Sequence, residues 1–469
     1  MHREQSYPPL ERRDLPAPPP WKNALGVGLI AVGLAIGTGE LILWPHIITK
    51  YGLGLLWLAL LGITFQYFIN QEVARHALAT GESFFTASAR VIKWLAAFWL
   101  VSAVLLYIWP GWASAIGTIL KELFGFGGHL MWSWAALAMV LVLTFSGRVV
   151  YSMLEKSLMV TVPAFFLMLV TISFFNLNLL NVKEALAGVV NFGRIPTGID
   201  INILLGAVVF AGAGGMLNLC VSLWYRDKQA GMGKYIGRIV NPITGKPEAV
   251  PAHGYTFDTT PQNLDRWKGW MRYVRIDQGI IFWLLGFTTL FLLSVNAYFV
   301  LTPLGLVPEG LNIVVTQAHI FGEHWGVLGF KLFLAMAFLM LFSVMWVVID
   351  ALARMVGDIL YTNSRIGPFK KCLSPFENVS ISHFYYIIVT TIVIVGAALL
   401  PLHPPLTLLV ISAVLGGLTM AIYTPLLIYM NNTRLPKPLR PGVFTNVMMV
   451  FGSLFFIFFA VRIIVEHLF

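Results

Sequence analysis

Residues 34–41 read LAIGTGEL, and residues 210–216 read FAGAGGM. Each glycine cluster lies near the middle of an apolar run, the first from about residue 24 to 48 and the second from about 201 to 225. Hydrocarbon cannot hydrogen-bond an opened backbone, so a break at membrane depth needs protein or a wet cavity around it. Two broken helices at equivalent positions of two repeats are typical of a transporter's binding site. The pattern therefore predicts a transporter with its site at the two breaks.

The composition places the chain in a lipid bilayer. Hydrophobic residues make up 58% of it and charged residues 11%, with a mean hydropathy of +0.79. Soluble domains average roughly 25% charged residues. Hydrocarbon thickness requires about 20 apolar residues per helix. Eleven segments approach that length, at 24–48, 53–75, 94–120, 129–147, 157–179, 201–225, 276–302, 327–353, 382–401, 405–430 and 442–466.

The basic residues predict the orientation. With the N-terminus in the cytoplasm, 25 of the 31 lysines and arginines fall on the cytoplasmic side. This bias predicts a multi-pass protein of the plasma (inner) membrane with an inward N-terminus and an extracytoplasmic C-terminus. The net charge of +10 then reflects topology and contact with anionic lipid. The expected partners are the lipid bilayer and a small-molecule or ion substrate, and nucleic acid is excluded.

The spans divide into two groups of five and one additional helix. Residues 1–23 form a proline-rich tail that we expect to be disordered. Residues 24–179 form the first repeat, and residues 201–430 form the second. The second repeat includes a cytoplasmic loop at residues 226–272, and residues 442–466 form the eleventh helix. Because each repeat has an odd number of spans, the second repeat crosses the membrane in the opposite orientation to the first. We therefore predict an all-α integral membrane protein with a 5+5 inverted repeat, eleven helices, and breaks in helices one and six.

Glu40 is the strongest candidate for an ion-binding residue. A carboxylate near the bilayer centre costs about 2.5–3.5 kcal/mol, and such residues usually mark ion or proton paths. The freed carbonyls of residues 36–38 precede it and could join it in coordination. The alternative is a neutral glutamic acid that is hydrogen-bonded inside the bundle. With Glu40, the predicted binding residues are Gly37, Thr38, Gly39, Ala211, Gly212, Gly214 and Asn218.

A charged series in span eight predicts a proton path or an inner gate. Asp350, Arg354 and Asp358 recur every four residues, so they share one helix face and can form two ion pairs. A structural clamp at the helix end is the alternative. Asn218 is also open to a second interpretation, because small polar residues in membrane helices often mediate helix packing. The sequence has no nucleophile–base pair or histidine cluster, so we expect neither an enzyme nor a cofactor.

The first two spans resemble the opening of Nramp divalent-metal transporters. The matching motifs, spaced without gaps, are Gly26-x-Gly28-Leu29-Ile30-Ala31, Lys50-Tyr51-Gly52-x-x-Leu55-Leu56-Trp57, Gln66-Tyr67 and Ala79-Thr80-Gly81. The resemblance implies the LeuT fold and symport of manganese, iron or related ions, usually with protons. Residues 37–40 of this chain stand where the family has the motif Asp-Pro-Gly-Asn. Gly37 therefore occupies the position of the family's metal-binding Asp, and Glu40 occupies the position of the Asn. The sixth-helix Met-Pro-His motif is absent from residues 210–215.

These departures leave two substrate classes open. Glu40 could replace the lost Asp as the metal ligand and hold a divalent cation, including a hard, hydrated ion such as magnesium. Alternatively, residues 37–39 resemble the glycine-rich break of amino-acid transporters, whose N–H groups receive a substrate carboxylate. A third possible function is that of a sensor that transports no substrate. The match in the first two helices favours a divalent cation.

Overall fold

The computed structural model describes residues 7–20, 26–147, 150–241, 250–402 and 405–468. The side chain of Thr38, a predicted binding residue, lies outside the described side chains. The α-helices are α1 (Val27–Ala35), α2 (Trp44–Tyr51), α3 (Leu56–Thr80), α4 (Phe84–Val91), α5 (Leu95–Tyr107), α6 (Gly111–Phe124), α7 (His129–Ser146), α8 (Val150–Asn176), α9 (Leu179–Val189), α10 (Ile201–Val209), α11 (Leu217–Asp227), α12 (Pro261–Ile276), α13 (Gly286–Asn296), α14 (His319–Arg365), α15 (Lys370–Leu373), α16 (Ile381–Leu399), α17 (Pro405–Thr433) and α18 (Val443–Leu468). Two short strands, β1 (Glu11–Arg12) and β2 (Tyr255–Thr256), pair in parallel.

The chain is an all-α integral membrane protein. Ten helical segments of the described residues are long and apolar enough to cross a membrane. The predicted sixth span, called helix six below, is two half-helices, α10 and α11; the seventh span, called helix seven, contains α12 and α13, and the eighth span, called helix eight, is α14. Large apolar side chains remain exposed on the outer helices, including Val142 on α7, Phe174 on α8 and Val443 on α18. Exposed apolar surface of this extent is stable against lipid and unfavourable in water.

Helix one differs from the prediction in its form. Its backbone is continuous from Val27 to Tyr51, and residues Ile36–Leu43 between α1 and α2 form a π-helix. A π-helix has the wider i→i+5 bonding and is typical of functional sites. The described side chains from Val27 to Thr49 are all buried. Helix one therefore forms the centre of the bundle, with its glycine pair in a widened turn.

The α10–α11 connection is broken as predicted, and two glycines explain where. Helix α10 begins at Ile201 and is capped by Asp200, whose carboxylate accepts a hydrogen bond from the Asn202 N–H at 2.8 Å. It ends at Val209, and α11 begins only at Leu217. Gly214 and Gly215 have φ values of +78° and +55°, which side chains rarely adopt. The glycines therefore allow the non-helical connection between the two half-helices inside the bundle.

Residues 7–20 differ from the predicted disordered tail. Leu15 is fully buried, its N–H donates to the Asn263 side chain at 3.2 Å, and its carbonyl accepts from Arg266 at 2.7 Å. The Arg90 guanidinium binds the Pro8 carbonyl at 2.6 Å. Proline restrains an extended chain and thereby lowers the entropy cost of docking it. We call the end of the bundle that carries residues 7–20 the inner end, and the opposite end the outer end.

The docked segment gives a first testable prediction. Leu15→Ala removes the buried anchor, at a cost of about 2–5 kcal/mol, and we expect the segment to detach from α12. Limited proteolysis within residues 7–20 should then proceed at least tenfold faster. Glu11→Ala, on an exposed side chain of the same segment, is the control and should leave the cleavage rate unchanged. Equal cleavage of both variants would contradict a docked segment.

Candidate binding site between helices one, six and seven

The α10–α11 break is held by side chains from three other helices. The Gln66 amide on α3 donates to the Val209 carbonyl at 2.8 Å and accepts from the Gly214 N–H at 2.9 Å. The Tyr107 hydroxyl on α5 donates to the Gly214 carbonyl and accepts from the Leu217 N–H at 3.0 Å. Unpaired backbone groups cost several kcal/mol each in a membrane. These contacts satisfy the polar groups that the break would otherwise leave exposed.

Asn218, a predicted binding residue, belongs to the same group of contacts. Its amide nitrogen donates to Gln66 Oε1 at 3.3 Å and to the Tyr423 hydroxyl at 3.2 Å. The Tyr423 hydroxyl, on α17, donates to the Gly215 carbonyl at 2.9 Å. Among the described residues the Asn218 Oδ1 has no hydrogen-bond partner. Asn218 therefore fixes the geometry of the break and also keeps one acceptor free.

The predicted glycines bring helix one against its neighbours. A Cβ on Gly39 would overlap the carbonyl of Phe210, and a Cβ on Gly37 would overlap the side chain of Val344 on α14. A Cβ on Gly212 would lie 2.6 Å from Gln66 Oε1. Small residues permit this close approach of helices in membranes. The structure thus brings together the two glycine clusters that the sequence singled out.

Glu40 lies in this closely packed region with its charge uncompensated. Its side chain is fully buried, and neither carboxylate oxygen has a hydrogen-bond partner among the described residues. The Thr289 hydroxyl on α13 lies beside it but donates to the Gly286 carbonyl at 2.9 Å. A buried carboxylate without a partner is strongly unfavourable. The site is therefore stable only if Glu40 holds a proton or a cation.

Asp350, predicted as part of a proton path or gate, lies away from Glu40 in a cluster of ion pairs. Arg354 Nε donates to Asp350 Oδ2 at 2.6 Å, and the Tyr385 hydroxyl donates to Asp350 Oδ1 at 2.7 Å. Gly37 contacts α14 at Val344. Val344 precedes Asp350 by six residues, so the two residues are about 9 Å apart along the helix. Both Asp350 oxygens are occupied, which removes the reason to expect Asp350 to bind an ion together with helix one.

The partners of Arg354 and Asp358 differ from the prediction. Arg354 also pairs with Asp227 at the end of α11, and Asp358 pairs with Arg226 and accepts a hydrogen bond from Ser83. The i, i+4 pair with Asp350 therefore forms, whereas the second pair along α14 does not. The reason is geometric: the inner end of α11 packs beside α14 and presents opposite charges to it. The cluster joins helices six and eight at the inner end.

The cluster gives a second testable prediction. Arg354→Met leaves Asp350 and Asp227 buried without their cation, and breaking one partner of a buried ion pair costs about 3–5 kcal/mol. We expect a large fall in the melting temperature of the purified protein. Asp227→Asn in the Arg354→Met background removes one of the uncompensated charges and should recover part of the loss. An unchanged melting temperature in Arg354→Met would contradict this account.

Three side chains of the site escaped the sequence analysis as functional residues. Gln66, Tyr107 and Tyr423 are polar residues within apolar segments, and Gln66 is also part of the Gln66-Tyr67 motif of the Nramp resemblance. Their role depends on which helix each faces. Among the described residues, no group of three or more histidine, cysteine, aspartate or glutamate side chains could hold a metal ion. A cation at Glu40 would therefore depend on one carboxylate and neutral oxygen donors.

Comparison with known proteins identifies the fold. No family model and no curated protein matches the chain. The solved structure of a manganese transporter of Eremococcus coleocola has a TM-score of 0.66 at 13% identity, covering 96% of this chain and 88% of that chain. Mhp1, a nucleobase-cation-symport-1 family transporter with bound bromovinylhydantoin, has a TM-score of 0.56 at 15% identity, covering 98% of this chain and 96% of that chain.

A third similar structure is MhsT in complex with L-phenylalanine. Its TM-score is 0.54 at 15% identity, covering 92% of this chain and 98% of that chain. These structures are LeuT-fold transporters, which confirms the predicted all-α membrane fold, while the count of eleven membrane helices stays a prediction. Identities this low show the fold alone, so the narrower resemblance to Nramp proteins stays a prediction.

Proposed function

We propose that this protein is a secondary active transporter that moves a divalent cation by alternating access, and that Glu40 is the cation's charged ligand. The observation that carries the proposal is the fully buried Glu40 carboxylate, with no hydrogen-bond partner for either oxygen among the described residues. Intramembrane carboxylates of this kind are expensive and usually lie on ion or proton paths. The LeuT fold supports the general class of function, and Glu40 supports the choice of a cation.

The neighbouring donors favour a hard cation. The Thr289 hydroxyl lies beside the Glu40 carboxylate, and the Phe210 carbonyl lies against the preceding residue, Gly39. Oxygen donors suit magnesium and manganese, whereas thioether and thiolate sulfur select softer metals. One carboxylate with neutral oxygens suits an ion that keeps several of its waters, as magnesium does. Magnesium and manganese are therefore the first ions to test.

An amino acid or other organic solute fits the site less well. The N–H groups of Gly214 and Leu217, which could receive a substrate carboxylate, already donate to Gln66 and Tyr107. The glycines of helix one contact Val344 and Phe210 closely, which leaves no room beside them for a side chain. These contacts support a small ion as the cargo. Coupling to protons and an inward N-terminus remain part of the proposal.

The ion-pair cluster at the inner end supports a gate. Asp350, Arg354 and Asp358 lie on α14, and their partners Asp227 and Arg226 lie at the end of α11. Opening the inner end in alternating access requires helices six and eight to separate there. The ion pairs would break in that step and re-form on closure. This role replaces the proton path that the spacing along α14 alone suggested.

Flux measurements on reconstituted protein test the proposal. Purified protein in liposomes is assayed for uptake of Mn²⁺ and Mg²⁺, with and without an imposed proton gradient, alongside a labelled amino-acid mixture. We expect saturable uptake of at least one of the two ions and none of the amino acids. Amino-acid uptake alone would overturn the choice of cargo. Absence of all uptake by folded protein would favour a non-transporting sensor.

A further inference from the structure

Helices one and seven run side by side in register, with a carboxylate at each end of their contact. The Gly28 N–H in the first turn of α1 donates to Asp277 Oδ2 at 2.8 Å. Twelve residues further along helix one, Glu40 lies beside Thr289, which is also twelve residues after Asp277. Twelve helical residues span about 18 Å. Asp277 is thus a second buried acid on the same interface, at the inner end and far from the proposed cation site.

Asp277 binds the start of helix one and keeps one oxygen free. Its Oδ2 also accepts hydrogen bonds from the Tyr225 hydroxyl at 2.7 Å and from Gln278 Nε2 at 3.1 Å. Its Oδ1 has no hydrogen-bond partner among the described residues, although the side chain is fully buried. A helix N-terminus carries a partial positive charge that attracts a carboxylate. The charged form of Asp277 therefore holds the inner half of helix one against helices six and seven.

Two neighbours of Asp277 line a cavity. The ionisable groups that interact electrostatically with it are Tyr151 on α8, Tyr225 on α11, Lys228 just after α11, and Tyr273 on α12. Lys228 pairs with Glu155 at 3.0 Å. Tyr151, Glu155 and Lys228 line a cavity of about 450 Å³ at the inner end. The hydroxyl of Tyr151, one of the residues that line this cavity, has no hydrogen-bond partner among the described residues.

We propose that Asp277 is a proton-binding site that controls the opening of the inner end. A proton that reaches Asp277 from the side of this cavity binds Oδ1, the oxygen without a hydrogen-bond partner among the described residues, and converts the carboxylate to a neutral acid. The acid no longer attracts the N-terminus of α1 and accepts weaker hydrogen bonds from Gly28 and Tyr225. The inner half of helix one is then free to move away from helix seven, and loss of the proton along the same route re-forms the contact. This inference rests on the proposed transport function and adds its regulation by protons.

The direction of the pH effect follows from the charge. Above the titration range Asp277 is charged and the inner end is closed, and below it Asp277 is neutral and the inner end opens. A cysteine at the start of helix one can report this change. Val27 is fully buried, so Val27→Cys should react with a water-soluble maleimide only when the inner end opens. Cys220 is replaced by serine, and the exposed Cys372 stays as an internal reference for the reagent's own pH dependence.

The measurement is the ratio of labelling at position 27 to labelling at Cys372, by mass spectrometry, from pH 5 to pH 8 without added cation. We expect the ratio to rise at least tenfold as the pH falls. In Asp277→Asn the ratio should be high at every pH, because the amide resembles the neutral acid. Asp200→Asn, which changes an exposed helix-capping aspartate at the outer end, is the control and should keep the pH dependence of the reporter protein.

Tyr225→Phe keeps the test decisive if Asp277→Asn fails to fold. It removes one hydrogen bond from the charged form of Asp277, so the midpoint of the labelling curve should move to higher pH by about one unit. A ratio that does not change with pH, or a pH dependence that survives in Asp277→Asn, would overturn the proposal, as would an unshifted midpoint in Tyr225→Phe. The assay contains no cargo ion, so its failure is distinguishable from a failure of the proposed cation transport.

Discussion

Replacing Glu40 with glutamine is expected to abolish cation uptake and to leave the protein folded. Glutamine matches glutamate in size, so packing around the π-helical turn is preserved. The substitution removes the negative charge that would bind the cation and also removes the charge-burial cost of about 2.5–3.5 kcal/mol. We therefore expect the initial rate of Mn²⁺ or Mg²⁺ uptake to fall at least tenfold, with a melting temperature equal to or above that of the wild type.

A matched substitution separates the loss of a ligand from a general effect of charge. Glu184→Gln makes the same chemical change on α9, where the side chain is exposed, and it should retain wild-type uptake. Initial rates are measured over a range of cation concentrations in both variants. Uptake by Glu40→Gln above half the wild-type rate, with an unchanged KM, would show that Glu40 is a structural residue of the bundle rather than a ligand.

Gly39→Ala is expected to have the second large effect, because it forces helix one away from helix six. The added Cβ would overlap the Phe210 carbonyl, which belongs to the backbone and cannot turn aside. Overpacking of this kind costs about 1–3 kcal/mol, and the displacement also changes the distance between Glu40 and the oxygen donors around it. We expect uptake to fall at least tenfold and the melting temperature to fall by several degrees.

The control for Gly39→Ala is a glycine with space around it. A Cβ on Gly357 in α14 would find its nearest neighbour at 3.8 Å, an ordinary van der Waals contact. Because alanine is favoured over glycine in a helix by about 1 kcal/mol, Gly357→Ala should keep or raise the melting temperature and should retain uptake. If Gly39→Ala behaved like Gly357→Ala, the contact between the two glycine clusters would not matter for transport.

The glycines show which features of the fold can be predicted from the sequence alone. The apolar segments and the break in helix six could be predicted, because hydropathy and glycine content act locally along the chain. Gly214 and Gly215 keep the segment between α10 and α11 non-helical through their own backbone conformation. The form of helix one was less predictable, since its glycines serve packing and the backbone continues as a π-helix.

The two buried acids on which the proposals rest divide in the same way. Glu40 was identifiable because a carboxylate in an apolar run is conspicuous wherever the helix lies. Asp277 was not, because it lies at the boundary between a polar loop and an apolar span. Only its contact with Gly28, 249 positions earlier in the chain, marks it as a residue of the interface between helices one and seven.

By itself the sequence determined the membrane class, the positions of most spans and the place of the central break, since these depend on composition and on backbone preferences within a few residues. The tertiary structure decided that Arg354 pairs with Asp227 as well as Asp350, that Gln66 joins the two halves of the break, and that residues 7–20 dock on α12. The physical reason is the same in all three cases: a buried charge or amide is stabilised by whichever opposite group the fold places beside it, and these partners lie far away in the sequence.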